Sequence, residues 1–159
     1  MNDRALEYEY LNNLCAQYNL PRIRLRIITN NDIVFDEYLY NVFALHPGHR
    51  ACFVSEDPYG LFEPIIFIRD DLLDQIFENA LRHEFRHYWQ YIYHKELYNW
   101  WNNHRKLYNN ERIRNNYNVL EQDAYAFAFR GTTSTIDQSQ YTIEWLNKNI
   151  NFLYSLLSN

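Results

Sequence analysis

From Ile65 to Arg130 the chain contains neither glycine nor proline, and all four of its prolines lie before Ile65. Without those breakers, any helix in that span has to end on softer signals. The pairs Asn102-Asn103, Asn109-Asn110 and Asn115-Asn116 supply them, because an Asn side chain competes for its own backbone's hydrogen bonds. The spacing predicts a helix from Asp71 to about Tyr98 and an irregular or helical connection from Trp100 to Asn118. A second helix is expected from Val119 to Arg130, then a loop over Gly131-Thr132-Thr133-Ser134. Ile143, Leu146, Ile150, Leu153 and Leu157 give a last amphipathic helix.

The first third reads differently. Leu6, Tyr10, Leu14 and Tyr18 recur at helical spacing between Asp3 and about Tyr18, and Pro21 closes that segment. Arg22-Ile23-Arg24-Leu25-Arg26-Ile27 alternates charged and apolar residues with period two, as a half-buried strand does. Its arginines share one face, which could meet an anionic partner but is explained more simply as a solvated strand face. Pro47-Gly48 and Pro58-Tyr59-Gly60 mark turns around a short strand at Ala51–Val54, and Pro64 to Ile68 reads as another. Asp70-Asp71 is the expected cap of the helix that follows.

A length of 159 residues and a hydrophobic fraction of 47% suit one compact domain, taken as 1–159, with a core of its own. A net charge of −5 argues against a general nucleic-acid binder. Cys15 and Cys52 are far apart and follow no CxxC spacing, so neither a disulfide framework nor a thiolate metal site is expected. The acidic N-terminus lacks a signal peptide's apolar run and no stretch is apolar enough to span a bilayer. The expected location is therefore the cytoplasm, with no membrane partner.

The chemistry concentrates in His83-Glu84-Phe85-Arg86-His87. Two histidines four apart on a helix project from one face and can ligate one ion. Glu84 then stands where such a motif keeps its general base, beside a water acidified by the metal. Phe77, Leu81, Phe85, Tyr88 and Ile92 fall on the opposite side of the wheel, so one side packs while the other is left for a cleft. A catalytic zinc site needs a third protein ligand and an open position. The extended HExxHxxGxxH pattern does not supply one, since Gln90 and Tyr93 stand where Gly and His are required. His94, about 10 Å up a continuous helix at 1.5 Å per residue, is too far from His83 and His87 to share their ion.

A better source is Leu120-Glu121-Gln122-Asp123-Ala124-Tyr125-Ala126-Phe127-Ala128. The pair HEFRH followed by ExDAxAFA resembles small gluzincin-type zincins, particularly the ImmA/IrrE-like peptidases. That resemblance implies an α+β zincin-like domain, Zn2+ held by His83, His87 and Glu121, and Glu84 as catalytic base. Ala124 and Ala128 share a face with Glu121 and would let its helix approach another closely. Asp123 is the rival ligand, with shorter reach and on another face. The resemblance also implies that the strand before the motif helix, Ile65 to Ile68, is a sheet edge that takes an extended protein or peptide substrate by strand addition. Tyr88 and Tyr125 are candidates for a phenol that stabilises the oxyanion. Three other readings remain: a catalytically silent zinc-binding regulatory domain, a protein-interaction domain without metal, and a zinc hydrolase acting on nucleic acid or small amides.

Overall fold

The computed structural model describes residues 5–131 and 133–158. Asp3 and Thr132, at the start of the expected first helix and in the expected loop, lie outside them. Mixed α+β structure is found, with a small three-stranded sheet and helices predominating. The residues form two compact units, one ending at Trp89 and the other beginning at Gln90, a division that falls inside a helix. No helix among the described residues is long and apolar enough to cross a membrane.

In the first unit, α1 (Ala5–Gln17) buries Leu11, Leu14 and Cys15. The sheet is built from β1 (Arg24–Ile28), β2 (Ala51–Val54) and β3 (Ile65–Arg69) in the order β1-β3-β2. β3 runs parallel to β1, with Arg24 opposite Ile65, and antiparallel to β2, with Cys52 opposite Phe67. The strand expected at the edge is therefore the central one, and its main chain is paired on both sides. Ile65, Ile66, Phe67 and Ile68 are all buried. A continuous apolar run is what a strand covered on both faces requires, whereas a strand with one face in water would alternate.

Between β1 and β2 the turn expected at Pro47-Gly48 is found, but residues 30–44, for which no element was expected, are helical. Thr29 and Asp32 form a capping box: the Thr29 hydroxyl accepts from Asp32 N at 3.1 Å and the Asp32 carboxylate accepts from Thr29 N at 2.9 Å. This opens α2 (Asn30–Phe35). Asp36 then caps α3 (Glu37–Leu39), which widens into a π-helical turn at Tyr40–Ala44. Ile33, Leu39 and Phe43 pack from these turns with Ile28, Ile65 and Phe67.

The β1 arginines have partners. Arg24 pairs with the buried Asp57, and the Arg26 guanidinium lies 5.1 Å from the Tyr59 ring centroid. Asp57 also accepts from Tyr59 N and so shapes the turn before β3. These contacts favour the structural explanation of the strand's charge over an anionic partner.

Helix α4 (Asp74–Tyr93) starts three residues later than expected. Asp71 instead grips the Arg69 guanidinium with both oxygens, at 3.0 and 2.8 Å. Phe77, Leu81, Phe85 and Tyr88 are buried as the wheel predicts, but Ile92 is exposed, beyond the stretch that packs. Cys15 is a buried thiol, and no disulfide is found among the described residues.

In the second unit, α4 ends at Tyr93 and α5 (Lys95–Asn103) follows after a break at His94. A 3-10 turn at Arg105–Asn109 leads to α6 (Glu111–Tyr117), whose cap is Asn110 accepting from Ile113 N at 3.0 Å. Asn118 then caps α7 (Val119–Arg130), which stops at Gly131 in the left-handed region, φ 64°. The expected last helix is two, α8 (Ile143–Lys148) and α9 (Ile150–Ser155). Between them Asn149 leaves the helical region at φ −111°, ψ 16°, and both its backbone N–H and its side-chain amide donate to the Trp145 carbonyl, at 2.9 and 2.8 Å. Leu97, Trp100, Trp101, Leu107, Ile113, Leu120, Leu146 and Leu153 form this unit's core.

Candidate metal centre

His83 and His87 stand one turn apart on α4, half-buried, with their Nε2 atoms 3.1 Å apart and their rings crossed at 80°. That packing is set from behind, by the buried Phe77, Leu81 and Phe85. Two imidazole nitrogens bound at 2.0–2.1 Å to one tetrahedral zinc lie about 3.3 Å apart. The observed separation already approximates it. The intervening Arg86 is buried and lays its guanidinium 3.6 Å from the Trp89 ring centroid, a cation–π contact that occupies a charge otherwise hard to place.

Glu84 Oε2 accepts a hydrogen bond from Phe53 N on β2 at 2.8 Å. Among the described residues β2 has β3 as its one strand partner, so Glu84 occupies an amide on the sheet's outer edge. Phe53 is the feature that sequence reading missed here. Its backbone amide carries no sequence signal, and only the strand register brings it forward.

Glu121 is half-buried in the first turn of α7, where its N–H donates to the Asn118 side-chain oxygen at 3.2 Å. Among the described residues His83, His87 and Glu121 each offer one ligand atom, and these atoms lie within 4.8 Å of one another. The donor set is two nitrogens and one carboxylate, the combination that holds a catalytic zinc with a position left open.

Asp123, two residues on, is buried and committed elsewhere. Its Oδ1 accepts from Thr135 N at 2.9 Å and from the Thr135 hydroxyl at 3.2 Å, and its Oδ2 accepts from Gln90 Nε2 at 3.0 Å. His94 faces Asp137 across 3.8 Å. Of the two tyrosines considered, Tyr88 is buried with its phenol donating to the Pro21 carbonyl at 2.9 Å, a structural role. Tyr125 is exposed and stacks on Phe129. Tyr108, which the sequence did not single out, has its phenol pushed well above its ordinary value by burial first and by the Glu121 charge next.

Comparison with protein-family models, with curated proteins and with solved structures finds no match to this chain.

Proposed function

We propose that the chain is a zinc-dependent peptidase, with His83, His87 and Glu121 as metal ligands and Glu84 as general base. The observation that carries the reading is the convergence of the two Nε2 atoms, 3.1 Å apart, on a helix that also carries Glu84 between them in sequence. The three hydrogen bonds that Asp123 accepts favour Glu121 as the third ligand, since they occupy both Asp123 oxygens. Bound zinc would supply a Lewis acid and a water able to attack at neutral pH.

The residues do the rest. Glu84 takes the proton of the attacking water and returns it to the leaving nitrogen. β2, with one strand partner among the described residues and Glu84 at its outer edge, is the strand to which an extended peptide adds, in place of β3.

One observation favours a second reading, a catalytically silent metal-binding domain that acts through a protein partner. Phe53 N holds one oxygen of Glu84, and a carboxylate kept in that bond has less freedom to shuttle a proton.

Elemental analysis of the wild type, His83→Ala, Glu121→Ala and Asp123→Asn tests the site. One equivalent of zinc is expected in the wild type and in Asp123→Asn, none in His83→Ala, and weakened, partial occupancy in Glu121→Ala. Cleavage of a denatured protein substrate by the wild type and not by zinc-loaded Glu84→Gln identifies the peptidase. Zinc without cleavage in either gives the silent domain, and a wild type without zinc removes both readings.

A further inference from the structure

Gln90 is fully buried in α4, three residues beyond His87. Its side-chain nitrogen donates to the Leu120 carbonyl at 2.9 Å and to Asp123 Oδ2 at 3.0 Å. The two acceptors bracket Glu121 on α7, one immediately before it and one two residues after. Asp123 is in turn fixed by Thr135 through its main-chain N–H and its hydroxyl. Asn118 holds the Glu121 N–H from the other side. The turn of helix that carries Glu121 is thus pinned by hydrogen bonds at 118, 120 and 123.

Burying an amide costs free energy that its hydrogen bonds only offset, and a methionine would fill the same volume without that cost. What the amide adds is direction. An apolar contact lets a helix rotate or slide by a fraction of an ångström, whereas two donors from one nitrogen fix both its rotation and its rise. Metal ligands depend on such outer partners for orientation, and losing one commonly weakens binding by about ten- to a hundred-fold.

We propose that Gln90 is the positioning residue of the third metal ligand: its amide, on the histidine-bearing helix, clamps α7 on both sides of Glu121 and so holds that carboxylate in its ligating direction. This rests on the metal reading given above, and the test separates the two. Zinc affinity is measured by chelator competition for the wild type, Gln90→Met, Glu121→Ala and the double variant, with His83→Ala as control. The visible spectrum of the cobalt-loaded proteins is recorded alongside.

Gln90→Met is expected to weaken zinc by about ten- to a hundred-fold and to move the cobalt spectrum towards that of Glu121→Ala. In the Glu121→Ala background the same substitution is expected to change affinity by no more than about two-fold, because a residue acting through Glu121 has nothing left to act on. An equal loss in both backgrounds would show a general structural role and overturn the proposal, as would wild-type affinity and spectrum in Gln90→Met. Where Gln90→Met does not fold, Gln90→Asn retracts the amide by one methylene and enters the same cycle with the same expectations. Zinc bound by the wild type and lost in His83→Ala keeps the metal reading standing whichever way the cycle falls. A wild type that takes no zinc removes both.

Discussion

The two segments that carry the candidate ligands are held in place by different physics. Around His83 and His87, α4 is anchored by apolar side chains, with Phe77, Leu81 and Phe85 fully buried behind the histidines. Around Glu121, α7 does bury Leu120, Ala124 and Phe127, but its rotation is fixed by a chain of polar groups, Asn118, Gln90, Asp123 and Thr135, most of them out of water. Apolar packing is strong and tolerant of small shifts. A buried polar chain is directional, and every member left unsatisfied is costly. The difference teaches that the histidine pair comes from a helix's own geometry, while a carboxylate on a separate helix needs its position specified.

The sharpest way to break this contrast is to empty the packing behind the histidines. Phe85→Ala should cost about 3 to 5 kcal/mol by denaturant unfolding. A much smaller loss would show that α4 is not anchored there. Next in size, Asp123→Ala strands the Gln90 and Thr135 donors and should cost about 2 to 3 kcal/mol, measured the same way. If zinc loss in Asp123→Ala fails to exceed what unfolding accounts for, the polar chain is scaffolding without a role in direction. Asn118→Ala removes the α7 cap and should cost about 1 kcal/mol, with a fall in zinc affinity that an equally destabilising change in α8 does not produce.

The smallest effect belongs to a region without ligands and calibrates the rest. Asp36 accepts from Leu39 N at 3.0 Å, and that bond, first among its causes, holds its carboxyl below the ordinary carboxylate value. A depressed folded value means the stabilisation is present above about pH 4, the unfolded carboxylate range. It is lost as the pH falls through the depressed value. Asp36→Ala should therefore cost about 0.5 kcal/mol at neutral pH, and its difference from the wild type should shrink on acidification. A difference that stays constant with pH would contradict the capping role.

What could be read from the sequence follows the range of each interaction. α7 is found at its expected bounds, because Gly131 ends it and apolar periodicity fills it, and β2 is found at Ala51–Val54. The histidine face of α4 follows from spacing alone. The capping box at Thr29 and Asp32 was legible in a Thr-Asn-Asn-Asp run and would have revealed α2. The place of β3 in its sheet depends on which strands flank it, which no local window contains, although its unbroken apolar run hinted at cover on both faces. The start of α4 moved because Asp71 prefers a guanidinium to a helix end. Gln90 looked like a failed position in a longer histidine motif, and only its distant partners, Leu120 and Asp123, give it a role.

The Phe53–Glu84 hydrogen bond lies where an added strand would have to pair with β2. A sheet edge with free main-chain groups invites another chain to pair with it, and proteins guard such edges by keeping them short and charged. β2 is four residues long, and a carboxylate from a neighbouring helix sits on its outer amide. The residue proposed to handle protons thereby also acts as a cork on the sheet. A peptide strand added at β2 would have to draw that carboxylate off Phe53 N, so seating a substrate would also release Glu84 for its proton.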